Sequence, residues 1–235
     1  MGDTLHDRLA RVSTATLTAQ LQRRGIHNTF LSGVVPVKEG QRMVGTAHTL
    51  RYVPMREDMQ GELVRGQNAQ RRAIESLAPA EVLVIEARGE PDAGTIGDIF
   101  VLRALRRGAA GVITDGALRD TATIRSIDLP VYHRASHAAT LARRHMPLDH
   151  QVPIACAGVT IFPGDVLVGD GDGVVVIPAA LAEEVAADAA QQEREEEWAV
   201  ERVDAGESTV GVFPVSKERR AEFEAWLAQR TEAES

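Results

Sequence analysis

The chain has 235 residues, 44% of them hydrophobic, which is enough for one sizeable core, and no apolar run reaches the length of a membrane span. A formal net charge of −8 excludes a general nucleic-acid binder, which needs a basic face, although much of the acidity sits in Glu193 to Glu201 and leaves room for a local basic pocket. Cys156 is the single cysteine; an internal disulfide is excluded, and its apolar surroundings from Val152 to Val159 mark a buried thiol rather than a nucleophile.

Met1 to Arg11 is charged and has no apolar signal core, so a cytoplasmic location is expected. Ser13 or Thr14 caps a predicted helix through Leu17 and Leu21 that stops at Gly25. Met43 to Val53 is rich in β-branched residues and reads as a strand. Pro54 to Gly66 is a charged surface loop, and Gln67 to Ala78 is helical in pattern. The continuous apolar run Val82 to Ile85 reads as a buried strand. Then come a helix over Ile99 to Arg107, a strand over Gly111 to Thr114, a short helix over Arg119 to Ser126, a strand over Pro130 to Tyr132 and a helix over Ser136 to Arg144. Beyond His150, glycine-aspartate turns separate short strands, with Val174 to Ile177 in the core. A long helix is expected from Ala179 to about Val203, ending near Gly206, and a last one from Ser216 to Arg230. The order implies an α/β fold with mixed sheets and a helical C-terminal arm, divided into a domain over 1–206 and an extension over 207–235.

The residues that carry chemistry lie in the middle. Asp98 closes the run Gly94-Thr95-Ile96-Gly97-Asp98, and after twenty intervening residues come Arg119 and Asp120. The helix and strand between them run antiparallel, which folds the two ends toward one another at one end of a sheet. Two carboxylates can take a hard divalent cation, and a guanidinium binds a carboxylate or an oxyanion. Each also has a plainer role: Asp98 as a helix cap, Arg119 and Asp120 as a surface ion pair.

These residues resemble the class II pyruvate aldolases that cleave 4-hydroxy-4-methyl-2-oxoglutarate and 4-carboxy-4-hydroxy-2-oxoadipate, a family that includes the regulator of ribonuclease E activity A. The resemblance rests on the spacing of Asp98, Arg119 and Asp120. It is reinforced by the run Pro163-Gly164-Asp165 leading into Gly169 to Pro178, and by Arg42-Met43-Val44-Gly45-Thr46-Ala47. It implies a swivelling β/β/α-type domain, a homotrimer or homohexamer, and a site between subunits. The ribonuclease regulators generally lose the last acid of the Arg-Asp pair, and this chain keeps Asp120.

The activity so implied is aldol cleavage of a 4-hydroxy-2-oxo acid to pyruvate, accompanied by oxaloacetate decarboxylation through the same enolate. The alternative is a non-catalytic protein that regulates an RNA-processing enzyme. The only lysines, Lys38 and Lys217, lie outside the constellation, which leaves a metal-dependent route in place of a Schiff base. The resemblance gives Asp120 as the ligand of Mg²⁺ or Mn²⁺, Asp98 as the holder of its water and Arg119 as the partner of the pyruvyl oxygens. Backbone N–H groups of Gly97, Ile99 and Phe100 would receive the substrate carboxylate. Glu196, in the run Glu195-Glu196-Glu197, would reach the site from a neighbouring subunit, with Glu193 one turn earlier on a similar face. His133 and His137 are expected to shape a loop, and His48 to be a satisfied, partly buried histidine. Arg71 and Arg72 are read as a solvated helix face, with recognition of a second carboxylate as the alternative. No membrane or nucleic-acid partner is expected.

Overall fold

The computed structural model describes residues 3–59, 61 and 66–233, with the side chains of 231–233 left aside. Its thirteen described strands are β1 (Val35–Pro36), β2 (Met43–Pro54), β3 (Glu81–Glu86), β4 (Gly94–Ile96), β5 (Gly111–Thr114), β6 (Ala117–Leu118), β7 (Val131–His133), β8 (Ala135–Ser136), β9 (His145–His150), β10 (Ile154–Cys156), β11 (Val159–Ile161), β12 (Val166–Gly169) and β13 (Val174–Ile177). The described helices are α1 (Leu5–Leu9), α2 (Thr14–Arg23), α3 (Ala69–Ser76), α4 (Asp98–Arg106), α5 (Thr121–Ile124), α6 (Ala182–Asp204) and α7 (Arg220–Ala233).

The main sheet runs in the order β1-β7-β5-β3-β2-β12-β13. The pairs β7–β5, β5–β3 and β3–β2 are parallel, and the rest are antiparallel. One edge of the long strand β2 pairs first with β12 and then, past an irregularity at Arg51 and Tyr52, with β9. The segment before β1 closes the sheet. Leu31 N donates to Val174 O at 2.9 Å and Val176 N to Thr29 O at 2.8 Å on β13, while Val35 and Pro36 pair with β7 at the other edge. A nearly closed mixed barrel results, which removes the exposed edges of an open sheet.

The period-two alternation of side chains divides the core into three. Val82, Val84, Ile113, Val174 and Val176 point inward with Cys156 and Tyr132. Leu83, Ile85 and Val112 point outward against α3 and α4. Val166, Val168, Val175 and Ile177 meet α1, α2 and α6. Strands covered on both faces explain the uninterrupted apolar run at β3. Cys156 is fully buried and desolvation raises its thiol pKa, as suits an inert core residue.

A second sheet, β4-β6-β8, is parallel throughout and lies off the main one. Each of its strands is short, and Ile96 and Leu118 anchor it in the core beneath the helices. The C-terminal arm is separately packed: Trp198 and Ala199 of α6 enclose Val212, Val215 and Phe223. No described helix is long and apolar enough to cross a membrane.

Most sequence-predicted elements appear within a few residues of their expected bounds, and the α/β class with mixed sheets and a helical arm is observed. Ser13 caps α2 by accepting from Thr16 N, and Gly25 follows with φ +77°. The helix expected over Ser136 to Arg144 is a correction: the segment is β8, a connection, and one 3₁₀ turn over Leu141–Arg143. Its alanines favour a helix, but the backbone is claimed by neighbouring strands. His137 N donates to Leu118 O and Gly94 N to Ala139 O, both at 2.9 Å. The helix expected from Arg119 begins only at Thr121, which leaves Arg119 at the end of β6. Strands β4, β6, β8 and β9 and helix α1 are not among the elements expected from the sequence. In the expected loop over Pro54 to Gly66, Glu57–Met59 form a 3₁₀ turn and Arg56 pairs with Asp58. Arg65 lies outside the described residues.

Gly45 shows why the Gly-Thr-Ala motif is needed in β2. A methyl group there would stand 2.5 Å from Ala80 O and 2.8 Å from Val82 Cγ2. Gly45→Ala is expected to lose about 1–3 kcal/mol through overpacking, read as a lower denaturation midpoint in urea with an unchanged slope.

Candidate functional site

The site begins with register. Gly94 pairs with Ala117 and Ile96 with Leu118 in the parallel strands β4 and β6. Both strands end at the same rim, so Gly97 and Asp98 emerge beside Arg119 and Asp120. Thr95, fully buried between them, holds the two strands together: its hydroxyl donates to Ala117 O at 2.9 Å. Its carbonyl accepts from Gln70 Nε2 at 2.8 Å and Tyr52 O–H at 3.1 Å, which ties the strand to α3 and β2.

Glycine permits the close approach. A methyl group at Gly97 would lie 2.9 Å from Asp120 Oδ2, and one at Gly94 would collide with Arg119 Cγ. The Arg119 side chain therefore lies across β4 and donates from Nε to Ala138 O at 3.2 Å. Asp120 has φ +54°, a left-handed conformation that a short polar side chain tolerates. Its carboxylate is exposed and caps nothing in α5.

Asp98 is not the N-cap of α4. Gly97 is, and Asp98 occupies the first helical position, where Oδ1 accepts from Ile99 N at 2.8 Å. The Ile99 N–H named for a substrate carboxylate is thus engaged by Asp98 in the free chain. Gly97, Asp98, Ile99, Phe100, Arg119 and Asp120 all line one cleft of about 590 Å³. Sequence reasoning missed the rest of its wall: Asn68, Gln70, Thr140, Leu141 and Ala142. The Asn68 side chain accepts from Arg71 N and caps α3, a signal legible in principle from an Asn before an amphipathic run.

Glu196 does not join this cluster within one chain. It lines a separate apolar groove of about 610 Å³ with Ala199, Val200, Val203 and Phe213. The two neighbours in its run are occupied: Glu195 pairs with Arg220 at 2.7 Å and Glu197 with Arg230 at 3.2 Å. Glu196 accepts from Gln192 Nε2 at 2.8 Å and has no ion-pair partner among the described residues. Glu193 is turned to the N-terminal segment and accepts from Ser13 N at 2.8 Å.

Asp98 and Asp120 offer hard oxygen donors from two adjacent strand ends. That pair fits a cation such as Mg²⁺, which keeps several waters and needs one or two carboxylates. Among the described residues no three His, Cys, Asp or Glu side chains are grouped to hold a metal, so the chain alone builds no closed cage.

The histidines take structural places. His48 is buried, with Nδ1 2.9 Å from Glu81 Oε2. His137 Nδ1 accepts from Ala139 N at 3.0 Å, and Nε2 lies 3.4 Å from Asp92. Behind the cleft, His145 packs on Tyr52 and its Nδ1 lies 3.2 Å from Arg88 Nη2, a donor that requires the neutral ring.

Three comparisons bear on this geometry. A family model described as RraA-like, Aldolase/RraA, matches residues 9–176. A protein of Halalkalibacterium halodurans named "putative 4-hydroxy-4-methyl-2-oxoglutarate aldolase" is 32% identical over 167 residues, 71% of this chain and 74% of that one. Protein DlpA of Legionella pneumophila is 32% identical over 181 residues, 77% of this chain. The match spans only 28% of DlpA's length. Among solved structures, Streptomyces coelicolor RraAS2, described as an unusual member of the RNase ES inhibitor RraA protein family, superposes with a TM-score of 0.75 at 34% identity. That superposition covers 84% of this chain and 96% of RraAS2.

Desolvation, the leading cause in each case, holds His133, His145 and His150 below their ordinary pKa of 6.5. The unfolded chain therefore binds these protons more readily than the folded one. The associated stability is complete above about pH 6.5 and is lost as the pH falls through that value toward the folded pKa values. A melting series from pH 8 to pH 5 should show a falling midpoint below about 6.5, with a shallower fall in His145→Gln.

Proposed function

We propose that this chain, which belongs to the RraA-like family (Aldolase/RraA), is a divalent-metal-dependent carbon–carbon lyase that releases pyruvate from a 4-hydroxy-2-oxo acid. The observation that carries this reading is the parallel pairing of β4 with β6, which sets Asp98, Arg119 and Asp120 on one cleft rim. The name of the Halalkalibacterium halodurans relative supports the reaction class.

Cleavage breaks the C3–C4 bond of the substrate. Its electron pair passes toward the 2-oxo group as an enolate, the 4-hydroxyl loses its proton, and C3 then takes one to give pyruvate. The charge that develops on the pyruvyl oxygens must be met as it forms. Arg119 supplies a guanidinium there, fixed in position by its contact with Gly94 and its bond to Ala138 O. The first turn of α4 adds backbone N–H groups at Gly97 and Phe100, with Ile99 N available once Asp98 turns away. Asp120 and Asp98 would hold Mg²⁺ or Mn²⁺ and its hydration water. When bound, the cation supplies further positive charge beside the oxygens of the pyruvyl group. Asp98, freed from Ile99 N, is placed to receive or orient a proton in transit. Oxaloacetate, which loses CO₂ to the same enolate, is a second substrate of the same arrangement. Glu196 would complete the site from another copy in a homotrimer or homohexamer.

A second reading has its own support, the likeness to RraAS2. On that reading the chain binds and restrains an RNA-processing enzyme without catalysis. Asp120 favours the lyase, since a regulator needs no carboxylate at this rim.

The test is pyruvate release from oxaloacetate and from 4-hydroxy-4-methyl-2-oxoglutarate, with Mg²⁺ and with a chelator. Wild type should release pyruvate only with the metal, and Asp120→Asn, which removes the charge but suits the same left-handed backbone, should lose at least about 10²-fold in kcat/KM with an unchanged melting temperature. Gly94→Ala, which displaces Arg119, should lose a comparable factor. No release from either substrate would leave the regulatory reading in first place.

A further inference from the structure

The cleft contains a second guanidinium, on α3 rather than on the strand ends. Arg71 lies in the first turn of α3, beside its cap Asn68, and lines the same cavity as Arg119. Three other arginines on α3, on α4 and just after it lie outside the cleft lining and are engaged elsewhere. Arg72 donates to Gln67 O at 2.6 Å, Arg103 pairs with Glu75 at 2.6 Å, and Arg107 donates to Leu77 O at 3.0 Å. Arg71 has no carboxylate partner among the described residues. Its guanidinium instead lies over the Phe100 ring, 5.2 Å from the centroid.

That contact orients without consuming. A ring face attracts the flat guanidinium and fixes its plane, while the N–H donors at the edge stay available for a carboxylate. Phe100 is itself packed against the core, so the platform is firm. The charges of the cavity point the same way. Arg71 and Arg119 balance Asp98 and Asp120. A divalent cation on the two acids would leave two positive charges in excess, the complement of a dianion.

Resting on the reading of this cleft as a 2-oxo acid site, we infer that Arg71 is its specificity-determining residue. It binds an anionic group at the far end of the substrate and so favours 2-oxo dicarboxylates over 2-oxo acids with a neutral end. It takes no part in the bond cleavage and acts by positioning the distal half of the molecule.

The test is calorimetric binding of pyruvate and 2-oxoglutarate to the full chain with Mg²⁺, in wild type, Arg71→Met and Arg71→Lys. Neither probe has a 4-hydroxyl, so binding is read apart from cleavage, and a failure of pyruvate release leaves this result intact. Wild type should bind 2-oxoglutarate at least about tenfold more tightly than pyruvate. Arg71→Met, which keeps apolar contact with Phe100, should erase that advantage and leave pyruvate affinity unchanged. Arg71→Lys should restore part of it, as charge without the planar fork. Equal wild-type affinities, equal loss on both probes, an unchanged preference in Arg71→Met, or no binding of either probe overturns the inference.

Discussion

Everything at the candidate site depends on two short parallel strands held side by side. Parallel pairing of so few residues is weak by itself. Here it is reinforced at Thr95, whose hydroxyl donates to the partner strand and whose carbonyl takes donors from β2 and α3. These buried polar groups have little alternative to one another, since leaving any of them unpaired would cost on the order of 1–3 kcal/mol. The barrel is the rigid base, and the small sheet is the fixture that brings two chain segments to one rim.

The second constraint is volume. Gly94 and Gly97 are small because Arg119 and Asp120 lie against them, and Gly45 is small because β3 and the turn before it lie against β2. None of these three has a positive φ, so the requirement at each is close approach rather than backbone freedom.

The acidic surplus is also organised. Of the glutamates on α6, Glu195 and Glu197 hold α7 in place, Glu193 holds the start of α2, Glu183 faces Arg8 of α1, and Glu184 faces Arg24 at the C-cap of α2. Such exposed pairs contribute little each, but together they orient the arm on the barrel. Glu196 is set apart by its apolar groove. The cleft, by contrast, carries balanced charge of its own, and its character depends on what binds between the acids.

Local pattern alone determined much of this protein. The apolar runs of β3 and β13, the capped start of α2 and the long α6 were legible because burial and capping leave marks on adjacent residues. The spacing of Asp98 from Arg119 and Asp120 was legible because one helix and one strand must fold back on themselves. Tertiary structure decided the remainder. The segment from Ser136 to Arg144 has helical composition but surrenders its backbone bonds to Leu118 and Gly94, which are distant in sequence. Arg71 and Arg72 are adjacent and chemically alike, yet only Arg71 lines the cleft, because the packing of α3 on α4 places Phe100 beneath one of them. Sequence spacing records what a residue is next to along the chain, and only packing records what it faces.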